Sequence, residues 1–290
     1  WPMSANTSPT TRGNMNDNWM EIFLANNGFL VSGTRSFAGC LGLNEEMRTS
    51  LRLVAWFDSY VRREIFLLVV ENIQLEDASR IYKKLKNNCI YDALEKLLQQ
   101  NIYVLLTLSD GQFFLENRKS PHELAEWFYS KSRALNQNIG TTKDTNRRDG
   151  QRKSDFFYDF TRNHLSRFCV CTDIDAVRLP SSQNQRLLFL ELKTPEERVT
   201  TWQPYIDDCA NYMHLQDIAQ KINAEFRVIA YNLSCSTQVQ LILDVHCDQP
   251  SRSARMIRYK SVVVSPSEAI GDITLESLEC KVSSRKRQTW

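Results

Sequence analysis

Six consecutive apolar residues at positions 65–70 form the longest apolar run in the chain. The run has the length of a buried β-strand, whereas a helix that crosses a membrane needs roughly eighteen such residues. From Leu75 onward the period changes, and apolar residues such as Ala78 and Leu85 recur at helical spacing. A buried strand followed at once by amphipathic helices predicts a mixed α/β fold. It also excludes a fibrous or wholly disordered chain.

The chain has 290 residues, of which 42% are hydrophobic and 24% are charged. A chain of this size can bury a substantial core in one or two domains. The formal net charge is +2, which is too close to zero to indicate a polyanionic partner by itself.

Eight cysteines are present, and most of them lie inside apolar strand-like or helix-like runs. Cys169 and Cys171 are separated by one residue, which is poor spacing for a zinc site. We therefore expect reduced thiols. The chain shows no basic start followed by an apolar stretch, so a secretory signal is expected to be absent or already removed, and no apolar run is long enough for a membrane segment. This set of features predicts an intracellular protein, cytoplasmic or, in a eukaryote, nuclear.

The distribution of polar residues predicts four segments. Residues 1–18 form a disordered arm, 19–135 an N-terminal α/β domain, 136–154 a basic linker, and 155–290 a second domain. The linker carries a basic cluster that is either a solvated connector or a segment that contacts a phosphate backbone: Arg147, Arg148, Arg152 and Lys153.

The second domain has a regular alternation of predicted elements. Its periodicity predicts a short helix at 155–167, strands at 168–179 and 186–193, a helix at 196–224, and strands at 225–233, 238–245 and 256–264. A basic cluster at 285–287 closes the chain and is interpreted as a solvated end.

Four charged residues lie on the first two of these strands. Alternate side chains of a strand share a face, so Asp173 and Asp175 point one way on the first strand. Glu191 and Lys193 share a face on the second strand in the same manner. Pairing of the two strands would bring Asp175, Glu191 and Lys193 together at one edge of a sheet. Two carboxylates form a site suited to Mg²⁺, and a neighbouring lysine can stabilise charge on a phosphate.

This arrangement resembles the PD-(D/E)xK nuclease superfamily, in which an Asp on one strand and a Glu-x-Lys on the next form the metal site. The resemblance covers about residues 155–245. It implies a restriction-endonuclease-like core with a central mixed β-sheet flanked by helices. It also implies that Asp175 and Glu191 bind Mg²⁺, with Mn²⁺ as a substitute, that Asp173 is a second acid, and that Lys193 is the catalytic lysine.

Two accessory residues follow from the same resemblance, because relatives place an acid on the preceding helix and a polar residue on the following one. These positions correspond to Asp159 and Gln203. A second Glu-x-Lys, at Glu279 and Lys281, lacks an aspartate at a suitable distance and a following helix, and is interpreted as a chance match.

The expected function is that of a Mg²⁺-dependent DNA endonuclease, of the restriction type, with the N-terminal half supplying DNA recognition or a homodimer surface. A structure-selective repair or recombination nuclease is one alternative. A nucleic-acid-binding protein that keeps the fold with little activity is another, and RNA is an alternative substrate.

Overall fold

The computed structural model describes residues 18–44, 46–57, 62–132, 156–165, 169–182, 185–196, 198–248, 255–271 and 283–289. The helices are α1 Trp19–Asn26, α2 Arg35–Cys40, α3 Leu75–Lys86, α4 Cys89–Leu98, α5 Pro121–Ser132, α6 Phe156–His164, α7 Cys209–Lys221 and α8 Pro266–Ile270. The strands are β1 Phe29–Val31, β2 Arg48–Phe57, β3 Arg62–Ile73, β4 Ile102–Leu108, β5 Phe113–Leu115, β6 Asn117–Lys119, β7 Cys169–Ile174, β8 Ala176–Arg178, β9 Leu188–Lys193, β10 Glu225–Asn232, β11 Cys235–Asp248, β12 Arg255–Val264 and β13 Ser283–Thr289. The mixed α/β class predicted from the sequence is confirmed.

The chain divides into two compact units. The first contains Gly33–Asn88 and Ile102–Cys171, and the second contains Asn18–Ser32, Cys89–Asn101 and Thr172–Trp290. The sequence grouped 19–135 into one domain, whereas the units are interleaved along the chain. Because the residues of the first unit lie between β1 and β8 in the sequence, the second unit is assembled from separate stretches of the chain.

The first unit is built on a six-stranded sheet in the order β6-β5-β4-β3-β2-β7. Strand β3 pairs antiparallel with β2 and parallel with β4. A capping box begins α5, because the backbone N–H of Ser120 donates to the Glu123 carboxylate and the Glu123 N–H donates to Ser120 Oγ. Aromatic side chains from α5 and α6, among them Phe128, Phe157 and Phe160, are packed into the core of this unit.

The second unit is built on a seven-stranded sheet in the order β1-β8-β9-β10-β11-β12-β13. Strands β1, β8 and β9 pair antiparallel in succession, and β10 pairs parallel with β9. The segment between β9 and β10 contains α7, which supplies the crossover that a parallel pair requires. The basic residues 285–287, interpreted above as a solvated end, lie in strand β13, which pairs with β12.

Both faces of this sheet are covered by apolar side chains. One core contains residues of α1 and α8, such as Leu24 and Ile270. The other contains Trp202 and Tyr212, from α7 and the segment before it. Burial on both faces explains why β9 reads as a nearly continuous apolar run, and it makes the charged residues Glu191 and Lys193 exceptional in that strand.

The helix predicted after β9 and the expectation of reduced thiols are among the sequence predictions that are wrong in this unit. The helix predicted at 196–224 begins only at Cys209. Two short 3-10 helices, Val199–Thr201 and Ile206–Asp208, precede it, because Pro204 disfavours helical geometry at the residue before it. Cys209 and Cys247 form a disulfide, so the expectation of reduced thiols fails for this pair. Their approach depends on the packing of α7 against β11, which cysteine spacing does not reveal.

Within the described ranges, no helix is long and apolar enough to cross a membrane.

Candidate active site

Asp175, directly before β8, lies beside Glu191 of the neighbouring strand β9. The antiparallel register pairs Ala176 with Leu190, and continuing it by one residue places Asp175 opposite Glu191. Asp175 stands between β7 and β8, at the point where the chain passes from one sheet to the other. Its carboxylate Oδ2 accepts a hydrogen bond of 2.7 Å from the backbone N–H of Leu192. This bond fixes the Asp175 side chain against β9.

Glu191 is the most buried acid of the group, with 6% of its surface exposed. Burial, reinforced by the nearby Asp175 carboxylate, raises the pKa of Glu191 to about 8, although Lys193 opposes the shift. Without a cation in the site, burial and Asp175 therefore favour the protonated form of Glu191, while the Lys193 ammonium favours its carboxylate. Burial of a carboxylate beside a second carboxylate is energetically unfavourable. Such an arrangement is typical of functional sites rather than of solvated salt bridges.

Lys193 completes the arrangement from the same face of β9. Its Nζ lies 2.8 Å from Glu191 Oε1 and 2.7 Å from Asp208 Oδ2, and 11% of its side chain is exposed. Burial alone would lower the pKa of Lys193, but the Glu191 and Asp208 carboxylates outweigh it and raise this pKa above its usual range. The ammonium therefore keeps its charge at neutral pH.

Asp208 and Tyr212 belong to the same cluster and were not identified from the sequence. Asp208 immediately precedes the first residue of α7, and Tyr212 lies one helical turn later. The Tyr212 hydroxyl donates to Asp208 Oδ2 at 3.3 Å, and its ring lies beneath the Lys193 ammonium, 5.7 Å from Nζ to the ring centroid. Burial, with Asp208 and Glu191 nearby, raises the pKa of Tyr212, so its hydroxyl stays protonated.

The other predicted site residues are placed less favourably. Asp173 is exposed on β7 and is not among the charges that shift the Glu191 pKa. Asp159 lies on α6, in the first unit, whereas Glu191 belongs to the second. Gln203 is partly buried between the two 3-10 helices and not on a helix. The remaining predicted or weighed residues lie outside the described ranges: Arg147, Arg148, Arg152, Lys153, Glu279 and Lys281.

Metal ligation at this site would depend on two carboxylates. Across the described part of the chain, His, Cys, Asp and Glu side chains do not form a group of three or more arranged to hold a metal. Mg²⁺ commonly takes only one or two protein carboxylates and fills its other positions with water and substrate phosphate. The pair Asp175 and Glu191 therefore matches the donor set that Mg²⁺ uses, with a proton on Glu191 as the species that a cation would displace.

Comparisons of the chain with protein-family models, with curated proteins and with solved structures found no match.

Proposed function

We propose that the chain is a Mg²⁺-dependent phosphodiesterase that cleaves DNA, with Asp175, Glu191 and Lys193 as its catalytic set. The observation that carries the proposal is the convergence of these residues. Asp175, directly before β8, lies opposite Glu191 of β9 when the strand register is continued by one residue, and the Lys193 ammonium contacts the buried Glu191 side chain at 2.8 Å. An ion pair between Glu191 and Lys193 that served structure alone would not need the Asp175 carboxylate next to it, because Asp175 raises the Glu191 pKa and so opposes the pair.

The order of elements in the second unit supports the same proposal. Helix α1 and strand β1 precede β8 and β9, and α7 then leads into the parallel strand β10. The resemblance to PD-(D/E)xK nucleases implies a helix, successive strands that carry the acids and the lysine, a helix and a further strand.

The roles follow from the geometry of each side chain. Asp175 and Glu191 would hold the cation, with Asp175 oriented by the Leu192 N–H and Glu191 giving up its proton. A bound Mg²⁺ supplies Lewis-acid stabilisation of the phosphate and lowers the pKa of a bound water. Lys193 places a permanent positive charge beside the carboxylates, where it can orient the attacking water and stabilise charge on the phosphate.

We favour the restriction type of endonuclease, because the sequence holds no Gly-rich phosphate-binding loop and a nuclease core with an accessory domain fits this subtype by family analogy. DNA is the proposed partner, and a homodimer is consistent with this subtype.

The deciding experiment incubates the purified chain with plasmid, linear and single-stranded DNA and with RNA, in Mg²⁺, in Mn²⁺ and in EDTA. We expect metal-dependent cleavage of DNA into discrete fragments. Progressive shortening would indicate an exonuclease, and cleavage confined to branched or damaged DNA would indicate a repair or recombination nuclease. Binding without cleavage in either metal would contradict the proposal and favour the nucleic-acid-binding alternative.

The Lys193→Ala variant assigns the activity to this site. We expect it to bind DNA while its cleavage rate falls by roughly 10²–10⁴. Lys281→Ala is the matched control, since it removes the same charge from the second Glu-x-Lys and should leave the rate unchanged. A folded Lys193→Ala protein that cuts at the normal rate would overturn the assignment.

A further inference from the structure

Asp208 has the position of a helix cap but does not act as one. It is the residue before Cys209, where α7 begins, and an aspartate there usually accepts a hydrogen bond from a backbone N–H of the first turn. Its carboxylate makes no such bond. Oδ2 instead contacts Lys193 Nζ at 2.7 Å and accepts the Tyr212 hydroxyl at 3.3 Å. The side chain is therefore used to bind Lys193 at the expense of capping.

Lys193 needs the Asp208 carboxylate as a second partner if Glu191 is to bind a cation. In the structure its ammonium is shared between Glu191, on the same strand, and Asp208, at the start of α7. A cation that draws on the Glu191 carboxylate weakens the attraction between Glu191 and Lys193. Asp208 lies on a different element, so it can hold the ammonium in place whatever Glu191 binds.

We propose that Asp208, itself held by Tyr212, is a positioning residue that keeps the Lys193 ammonium directed at the reacting phosphate. This inference rests on the proposed function. It assigns no metal contact to Asp208, and it gives Tyr212 the role of a neutral hydrogen-bond donor that orients the Asp208 carboxylate. The order of contacts is then Tyr212 to Asp208 to Lys193.

The test compares Asp208→Asn, Asp208→Glu and Tyr212→Phe with the wild type. Misplacing a catalytic group by about 1 Å can cost roughly 10²-fold, so we expect Asp208→Asn to lower kcat by about 10- to 100-fold with KM unchanged. Asp208→Glu keeps the charge and should restore part of kcat. Tyr212→Phe removes the hydrogen bond to the Asp208 carboxylate but leaves that carboxylate beside Lys193, so its kcat should fall less than that of Asp208→Asn.

Calorimetric titration with Mn²⁺ in the absence of DNA provides a readout that is independent of activity. We expect Asp208→Asn to bind the cation as the wild type does, since Asp175 and Glu191 are intact. A large loss of affinity would show that Asp208 is a metal ligand and would overturn the positioning role. Glu196→Gln is the control, because Glu196 is exposed and removal of its charge should alter neither kcat nor metal affinity.

The two proposals fail in different ways. A wild-type protein that cleaves nothing in either metal overturns the proposed function and this inference together. A wild-type protein that cleaves DNA, with Asp208→Asn equal to it in kcat and thermal stability, overturns the positioning role alone.

Discussion

The backbone N–H of Leu192 donates to Asp175 Oδ2 at 2.7 Å, so the carboxylate of Asp175 holds the start of β8 against β9. This bond has a consequence for stability that is separable from charge. We expect Asp175→Asn, whose amide oxygen can still accept the bond, to unfold in urea close to the wild type. Asp175→Ala loses the acceptor and should be about 1–3 kcal/mol less stable. Both variants should lose affinity for Mn²⁺, and equal stability of the two would contradict the structural role.

The raised pKa of Glu191 predicts how stability depends on pH in EDTA. The folded-state pKa of about 8 lies above the value of 4.5 expected when the chain is unfolded, so the folded state binds the proton more tightly. The resulting stabilisation is fully present below about pH 4.5 and is lost as the pH rises through about 8. The free energy of unfolding should therefore fall between pH 5.5 and 8.5.

Glu191→Gln is the matched variant for this measurement, since glutamine resembles the protonated glutamate and does not titrate. We expect its stability to approach that of the wild type below about pH 4.5 and to exceed it by an increasing amount as the pH rises to 8.5. Added Mg²⁺ should restore the wild type at high pH, because a ligand of the folded state stabilises it, and should leave the variant unchanged. Parallel pH profiles for the two proteins would show that Glu191 is not the titrating group.

Replacing Lys193 should destabilise the protein in a pH-dependent way. Lys193→Ala leaves the Glu191 and Asp208 carboxylates without their shared cation, and breaking a buried ion pair typically costs about 3–5 kcal/mol. The pKa of Glu191 should rise further in the variant, because the opposing charge is gone. The loss in urea denaturation should therefore be greater at pH 8.5 than at pH 5.5, and a constant loss would contradict the coupling.

The disulfide between Cys209 and Cys247 should contribute measurably to stability. It closes a loop with a sequence separation of 38 residues, which corresponds to about 4 kcal/mol in the chain-entropy model. We expect the variant with both cysteines replaced by Ser to unfold at a lower urea concentration than the wild type. Reduction of the wild-type disulfide by dithiothreitol should lower its unfolding midpoint to a similar urea concentration. The double replacement of Cys40 and Cys89, both exposed and free, is the control.

The sequence predicts much of the secondary structure of this chain. The apolar run at 65–70 lies within β3, as its length predicts. The single strand predicted at 168–179 is instead two strands, β7 and β8, which belong to different sheets. Alternation of side chains cannot reveal this, because the switch at Asp175 depends on which partners the two halves meet.

The site shows the same division between local and long-range information. Strand alternation correctly places Glu191 and Lys193 on one face, where they are in contact. Asp208 was missed because the helix was predicted to begin at 196, which hid a helix start whose preceding residues are Asp207 and Asp208. With the helix placed at Cys209, the acidic pair before it and the tyrosine one turn later would have indicated a charged group at that end.

The interleaving of the two units orders events during synthesis. Strand β1 is translated early, but its partner β8 emerges only after the whole first unit, since Phe29 pairs with Arg178. Closing so long a loop costs entropy and slows the pairing. During translation, the first unit is therefore complete before β8 is available to pair with β1, and the apolar side chains of α1 and β1 stay exposed to solvent until then. The stretch that begins the seven-stranded sheet is thus translated long before the strand that covers its edge.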